Sequence, residues 1–320
     1  MVSIFIIIYI IILIIGLIKF CWKWFFPGKV DMKGKCAVIT GGSSGTGLAL
    51  AQKCLNHGAK YVFLLARNKG RLDSAVEKLH KGEDQNVIAI SADVSDYDQM
   101  TQAFSQILSY STSIDYLFCA AGFARPALLD DTTPKDFQNH INVNYLGAAY
   151  AVKIAKPHLS NGSHVMFCGS ACSIMSFAGY AAYSPSKYAL HGLADTLRNE
   201  LRPYGINIHM GYISSIDSPG FAEENKSKPK VCAEIEGHAN LYSPDEVAQH
   251  MFRCIGNNEY FLVLEPLTYF MEQCALGVAP SNNICLDIAL KPISFIARIW
   301  GLWTMETTVQ KYFNKEKKNE

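Results

Sequence analysis

Charge of one sign is what this sequence lacks most, since 29 Lys and Arg residues stand against 28 Asp and Glu. No run of basic residues interleaves with aromatics, so the electrostatic footprint of a nucleic-acid binder is missing and no such partner is expected. Metal-ligand spacing is also missing. Ten cysteines are scattered from Cys21 to Cys285 without a C-x-x-C pair. Cys168 and Cys172 have no further His or Cys at ligand spacing, so no metal is expected. A chain of 320 residues needs no disulfide framework, and the cysteines read as reduced, mostly buried small apolar groups. There is no internal repeat and no long low-complexity linker, which points to one core of about 250 residues with appendages.

One appendage is the N-terminus, residues 1–26. The run from Val2 to Ile18 carries no charged side chain, and Lys19, Trp22 and Trp24 follow it. Its length approaches the roughly 20 residues that a bilayer helix needs. A cleaved signal peptide would carry a basic start, a shorter apolar core and a small-residue cleavage site, none of which is present. Lys19, Lys23, Lys29, Lys33 and Lys35 all follow the span and no positive side chain precedes it, so the main domain is expected on the cytosolic face. The other appendage is residues 266–320, an apolar membrane-associated segment with a basic tail. From Ile284 to Met305, Asp287, Lys291 and Arg298 recur at intervals of four and seven, which collects them on one helical face. A helix lying in the membrane interface and a helix packed on the domain both fit that pattern. The closing "KKNE" resembles a dilysine retrieval signal and points to the endoplasmic reticulum membrane.

Between the ends, residues 33–265 alternate. The segments "CAVIT", "YVFLLA", "NVIAIS", "IDYLFC", "SHVMFCG", "INIHMGY" and "YFLVL" read as strands, and helical stretches separate most of them. Near-continuous apolar strands are those buried on both faces, so the expected fold is α/β: a doubly wound parallel sheet of Rossmann type with about seven strands. "TGGSSGTG" sits where the first strand becomes the first helix of the series. Gly41, Gly45 and Gly47 let the backbone turn tightly against a pyrophosphate at a helix N-terminus, with Ser43 and Ser44 in the same turn. The second strand ends "LLARN", where the acid that would accept the ribose hydroxyls of NAD is absent. Arg67 stands there, with Lys69 and Arg71 close behind, which favours the 2′-phosphate of NADPH. Asp93, followed by Val94, is placed either to accept from an adenine amino group or to cap the next helix.

"YSPSK" puts Tyr183 and Lys187 four apart, so phenol and ammonium share one helical face. The ammonium is expected to lower the phenol's pKa from about 10 toward the working range of an acid or base. Ser170 ends the fifth strand and Asn144 lies in the helix before it. The glycine turn, Asn144, Ser170 and the Tyr183/Lys187 pair, in this order and on these elements, resemble the short-chain dehydrogenase/reductase family over about residues 36–265. The resemblance implies that Tyr183 gives or takes the proton and Ser170 holds the substrate oxygen. It further implies that Lys187 tunes Tyr183 and grips the nicotinamide ribose, and that Asn144 anchors a water relay.

Two departures stand out. "CAAG" has Cys119 where the family has an Asn that ties neighbouring backbone, and "ISSIDSPG" replaces the usual Pro-Gly after strand six. The loop with Ser218 is still expected to reach the nicotinamide. Family members that join an N-terminal anchor to an apolar C-terminal extension carry a segment similar to Asp217–Pro229. That similarity implies a long-chain amino ketone lipid as substrate, taken from a membrane. Anchored members that act on steroid or retinoid ketones are the alternative within the family, and a non-catalytic nucleotide or lipid scaffold is the alternative outside it. The family resemblance also allows a homo-oligomer. By periodicity alone, residues 218–229 fit neither a clean helix nor a clean strand; their position after the sixth strand makes them read as a polar flap between cofactor and substrate. Glu223 and Glu224 in it read either as partners for the substrate's ammonium or as solvated acids.

Overall fold

The computed structural model describes residues 2–237, 240–275 and 281–319, with the side chains of residues 1–5 and 316–320 outside the description. The last residues of "KKNE" therefore lie outside the described side chains. Seven strands, β1 (Cys36–Thr40), β2 (Tyr61–Ala66), β3 (Asn86–Ser91), β4 (Ile114–Cys119), β5 (Leu159–Cys168), β6 (Asn207–Tyr212) and β7 (Phe261–Val263), form one sheet in the order β3-β2-β1-β4-β5-β6-β7. Every strand pair is parallel. The sequence order turns back at β1 and β4, and in such sheets the ligand crevice opens at the carboxyl ends of the strands on either side of that switch.

Helices α1 (Val2–Phe25), α2 (Gly45–Asn56), α3 (Lys69–Lys78), α4 (Tyr97–Tyr110), α5 (Pro134–His140) and α6 (Gly147–Ala155) precede β5. Helices α7 (Tyr183–Leu201), α8 (Pro219–Ser227), α9 (Lys230–Glu236), α10 (Pro244–Gly256), α11 (Pro266–Ala275) and α12 (Ile284–Asn319) follow it. The apolar strands are explained by the two cores they separate. On β1, Cys36 and Val38 enter one core with α4, α6 and α7, while Ala37 and Ile39 enter the other with α2 and α10. A strand side chain buried this way contributes roughly 1.5–3 kcal/mol for Val, Leu, Ile or Phe, so a polar residue is costly on either face.

The polar segment after β6 is a helix, not a flap without regular structure. Ser218 caps it by accepting from Phe221 N at 3.2 Å, and Pro219 occupies the first turn, where its missing N–H costs nothing. Both appendages pack on the domain. Residues Ile6–Phe25 of α1 are long and apolar enough to cross a membrane, with a mean hydropathy of 2.4. One side of α1 nevertheless touches α12: Gly16 lies against Leu286, and its carbonyl accepts from Asn283 Nδ2 at 2.9 Å.

Of the three charges expected on one face of the C-terminal helix, two bond to α11. Asp287 accepts from Tyr269 Oη at 2.7 Å, from Gln273 Nε2 at 2.8 Å and from Ser281 Oγ, while Lys291 Nζ donates to the Gln273 carbonyl at 2.5 Å. Asp287 is buried against α11, whereas Lys291, although tied to α11 through its ammonium, stays exposed, as does Arg298. The outer side of α12 carries Ile296, Ile299, Trp300 and Trp303, all at least half exposed. Past the internal Pro292, Val309 and Tyr312 pack back on the cluster of Tyr180, Val231 and Cys232.

Candidate active site

At the end of β1 the chain turns through Gly41 with φ +71° and Gly45 with φ +53°, which L side chains adopt only under strain. Space is as demanding as angle: a Cβ on Gly47 would stand 2.2 Å from the Gly41 carbonyl oxygen, and one on Gly41 would stand 2.8 Å from the backbone of Ala121. The first amides of α2 have no intrahelical acceptor, and Ser44 at the cap makes no side-chain bond to them. A turn so built offers amides, the hydroxyls of Ser43 and Ser44 and a positive helix end to an anion. Ser218 reaches the same place, its Cβ 3.3 Å from where a side chain on Gly45 would begin.

Arg67, with a side chain 70% exposed, lies 3.8 Å from the Asp93 carboxylate. Asp93 does not cap a helix. Its Oδ1 accepts from Ser95 N at 2.9 Å and Ser95 Oγ at 2.7 Å, and Asp96 is the cap of α4, because Asp96 is the residue whose carboxylate meets the amides of Asp98 and Gln99. Val94 packs where a Cβ on Gly147 would be, 2.7 Å from its Cγ2. The side chain of Arg71 is exposed on the first turn of α3, where Asn68 caps its amide at 2.9 Å.

Asn144 sits in a π-helical turn, Ile141–Leu146, where helices α5 and α6 join. Turns of that kind are uncommon and recur at functional sites. Its Oδ1 accepts from Phe123 N at 3.0 Å, and its Nδ2 donates to Phe123 O and Ser186 Oγ, each at 3.0 Å. A Cβ on Gly122 would be 3.2 Å from Asn144 Oδ1 and 3.5 Å from Lys187 Nζ, so the two side chains meet over one glycine. Lys187 is only 5% exposed, donates to Cys168 O at 3.1 Å and stands 5.7 Å from the centre of the Tyr183 ring. Ser170 follows the end of β5 by two residues and accepts from Cys172 N at 3.1 Å. Asn144, Ser170, Tyr183 and Lys187 thus share one wall of the crevice.

The expected lowering of the Tyr183 pKa is not found. Burial raises it well above 10, the charge of Glu224 adds to the rise, and the Ser170 hydroxyl offsets part of it. Burial also lowers Lys187, to about 8. Desolvation of both groups outweighs the attraction between phenolate and ammonium, so the pair is poised as neutral phenol and titratable amine.

Residues 35–229 match the short chain dehydrogenase family. The chain belongs to that family. Among the curated proteins similar to this short-chain dehydrogenase are the 3-ketodihydrosphingosine reductase of Dictyostelium discoideum and the 3-dehydrosphinganine reductase of Danio rerio. The first is 31% identical over 89% of the chain and 90% of that protein. The second is 33% identical over 81% of the chain and 79% of that protein. Among solved structures, a short chain dehydrogenase of Burkholderia cenocepacia in complex with NADP is 27% identical, with a TM-score of 0.63 over 71% of the chain and 92% of its own.

The departure at Cys119 has a local remedy in this short-chain dehydrogenase. Thr40 Oγ1 donates to Phe118 O at 3.4 Å and accepts from Ala121 N at 3.2 Å, so a β1 hydroxyl ties the end of β4. Four residues beside the phenol were not anticipated. His140 is fully buried and turns its ring edge-on to Tyr183, with centroids 6.1 Å apart. Tyr180 packs 5.6 Å from Tyr183, and its hydroxyl lies 2.6 Å from both Glu224 and Glu236. Lys228 closes that group at 2.7 Å from Glu236 and 3.2 Å from Glu224. Glu223, in contrast, points outward and pairs with Lys226 at 2.5 Å. Glu224 and Lys228 are four apart, but no spacing rule links them to His140, Tyr180 or Glu236.

Proposed function

We propose that this chain is an NADPH-dependent ketone reductase that converts 3-ketosphinganine to sphinganine at a membrane surface. The observation that carries the reading is the convergence of Asn144, Ser170 and Lys187 around the phenol of Tyr183. Its substrate comes from the relatives whose names state that activity and whose length the chain nearly shares.

The cradle fits the cofactor. Gly41, Gly45 and Gly47 leave backbone room for a pyrophosphate, Ser43 and Ser44 offer hydroxyls, and Arg67, with Arg71 nearby, suits a 2′-phosphate. Asp93 and Val94 would take the adenine end, and Ser218 would take the nicotinamide end. When bound, NADPH supplies the hydride. Negative charge then grows on the substrate oxygen, and Ser170 donates a hydrogen bond to it there. Tyr183, held as neutral phenol by burial, gives the proton that completes the alcohol. Lys187 in its ammonium form stabilises the phenolate left behind and grips the ribose hydroxyls. Asn144, whose amide is engaged by Phe123 and Ser186, holds the wall beside Lys187, so a relay water would rest on its main-chain carbonyl.

In this reading α1 anchors the protein in the endoplasmic reticulum membrane, and the lysines that follow it keep the catalytic domain in the cytosol. Helix α12 begins beside α1 and returns to α9, so it lies along the bilayer with Ile296, Ile299, Trp300 and Trp303 in the interface, and does not cross it. The test is the full chain with NADPH and either 3-ketosphinganine or a steroid ketone, followed at the nicotinamide absorbance. Oxidation with the amino ketone is expected. Turnover of the steroid alone would overturn the substrate.

A further inference from the structure

An amino ketone brings a cation to this site. Its ammonium is on the carbon next to the carbonyl, so whatever receives the charge must stand beside Tyr183. The wall there is formed by Tyr180, whose ring is 5.6 Å from that of Tyr183 and whose hydroxyl touches Glu224 Oε1 and Glu236 Oε1.

Counting charges and protons on this wall leaves a gap. The Tyr180 hydroxyl has one proton, yet two carboxylate oxygens approach it at 2.6 Å. The partner with a positive charge is Lys228, whose side chain is 6% exposed and lies over the Phe221 ring at 4.8 Å. Two carboxylates and one ammonium make a net charge of −1 in a half-buried place, where an uncompensated charge is costly. Lys228 is also informative as chemistry, because a primary ammonium is the same group that the substrate carries. The chain has seated one such group between Glu224 and Glu236 by itself, which is direct sign that the place takes an alkylammonium. The seating is unequal: 2.7 Å to Glu236 and 3.2 Å to Glu224.

We infer that Glu224 is the specificity residue for the substrate's ammonium, with Glu236 retaining Lys228 and Tyr180 holding both carboxylates against the catalytic phenol. The inference rests on the reading of the substrate given above. It also gives α8 a purpose: a helix capped at Ser218, beside the glycine turn, carries Glu224 on its inner side and Glu223 on its outer side. The charge of Glu224 acts on the Tyr183 phenol in the direction that resists ionisation, and a seated ammonium cancels it when the phenol must give up its proton.

The experiment compares 3-ketosphinganine with its N-acetyl derivative, which keeps chain and carbonyl but loses the charge, using the full protein and NADPH. The wild type is expected to prefer the free amine. Glu224→Gln is expected to raise KM for the amine roughly ten- to a hundredfold, the scale of one charged hydrogen bond, and to leave KM for the acetylated ketone nearly unchanged. Glu224→Asp should recover part of the loss, and Glu223→Gln should behave as wild type. Equal losses of Glu224→Gln on both ketones, or no loss on either, would overturn the inference. A wild type that reduces neither ketone would overturn the substrate reading and this inference with it. Should Glu224→Gln not fold, product inhibition of the wild type decides: sphinganine should inhibit at least tenfold more tightly than N-acetylsphinganine, and equal inhibition refutes the role of charge.

Discussion

The turn after β1 and the wall made by α8 and α9 adjoin where Ser218 meets Gly45, and each handles charge by a different means. The turn works with backbone: Gly41, Gly45 and Gly47 remove side chains so that amides and a helix end can meet an anion. The wall works with side chains: Glu224, Lys228 and Glu236 carry full charges, and the Tyr180 hydroxyl lies between the two acids. Backbone recognition is local and needs a fixed string of residues, whereas side-chain recognition needs only that distant residues arrive together. One ligand is common to a whole family of enzymes and the other is particular to a few, and the two constructions match that division.

The comparison breaks most completely at the residue both sides serve. Tyr183→Phe is expected to lower kcat by about a thousandfold or more, the scale of a lost proton donor, while NADPH still binds. Fluorescence of bound NADPH and absorbance-based turnover separate the two, and retained turnover would remove Tyr183 from its role. On the backbone side, Gly47→Ala must push the first turn of α2 away from Gly41 O, because the added carbon would be 2.2 Å from it. About a hundredfold weaker NADPH binding is expected, some 2.7 kcal/mol, with the fold retained by circular dichroism. Arg67→Asp should cost about tenfold in NADPH preference over NADH; an unchanged ratio would mean the 2′-phosphate is read elsewhere.

The most graded effect is one of pH. Lys187 titrates at about 8, lowered by burial, and its ammonium is the working form. Activity should hold below that value and fall about tenfold per unit above it, since each unit removes that fraction of ammonium. A kcat profile flat to pH 10 would show that Lys187 keeps its proton throughout.

How much could be read from the sequence follows the same division. The central strands were legible because they are buried on both faces, as β1 is between its two cores, and such strands are nearly continuous in apolar residues. The glycine turn and the Tyr183/Lys187 pair were legible because their parts lie within one turn or one helix. Residues 218–229 were read as irregular because the apolar stripe of a helix is missing, although Ser218 followed by Pro219 is a helix-start signal in its own right. The spacing of Asp287 and Lys291 tells that they share a helical face but not what meets it, because their partners, Tyr269 and Gln273, are on another helix. The expected pKa of Tyr183 failed for a different reason: spacing tells which charge is near, but not how much water both groups have lost.

Helix α12 leans on α1 near Leu286, passes Met271 at Gly301 and ends its packed stretch at Val309 and Tyr312 beside the active-site cluster. It is therefore a ruler with phase as well as length. Inserting a single residue after Gly301 would turn everything beyond it by about 100°, swinging Val309 and Tyr312 off α9 while adding only about 1.5 Å of reach. Register along one helix, not merely the presence of an apolar tail, sets which surface the catalytic wall meets.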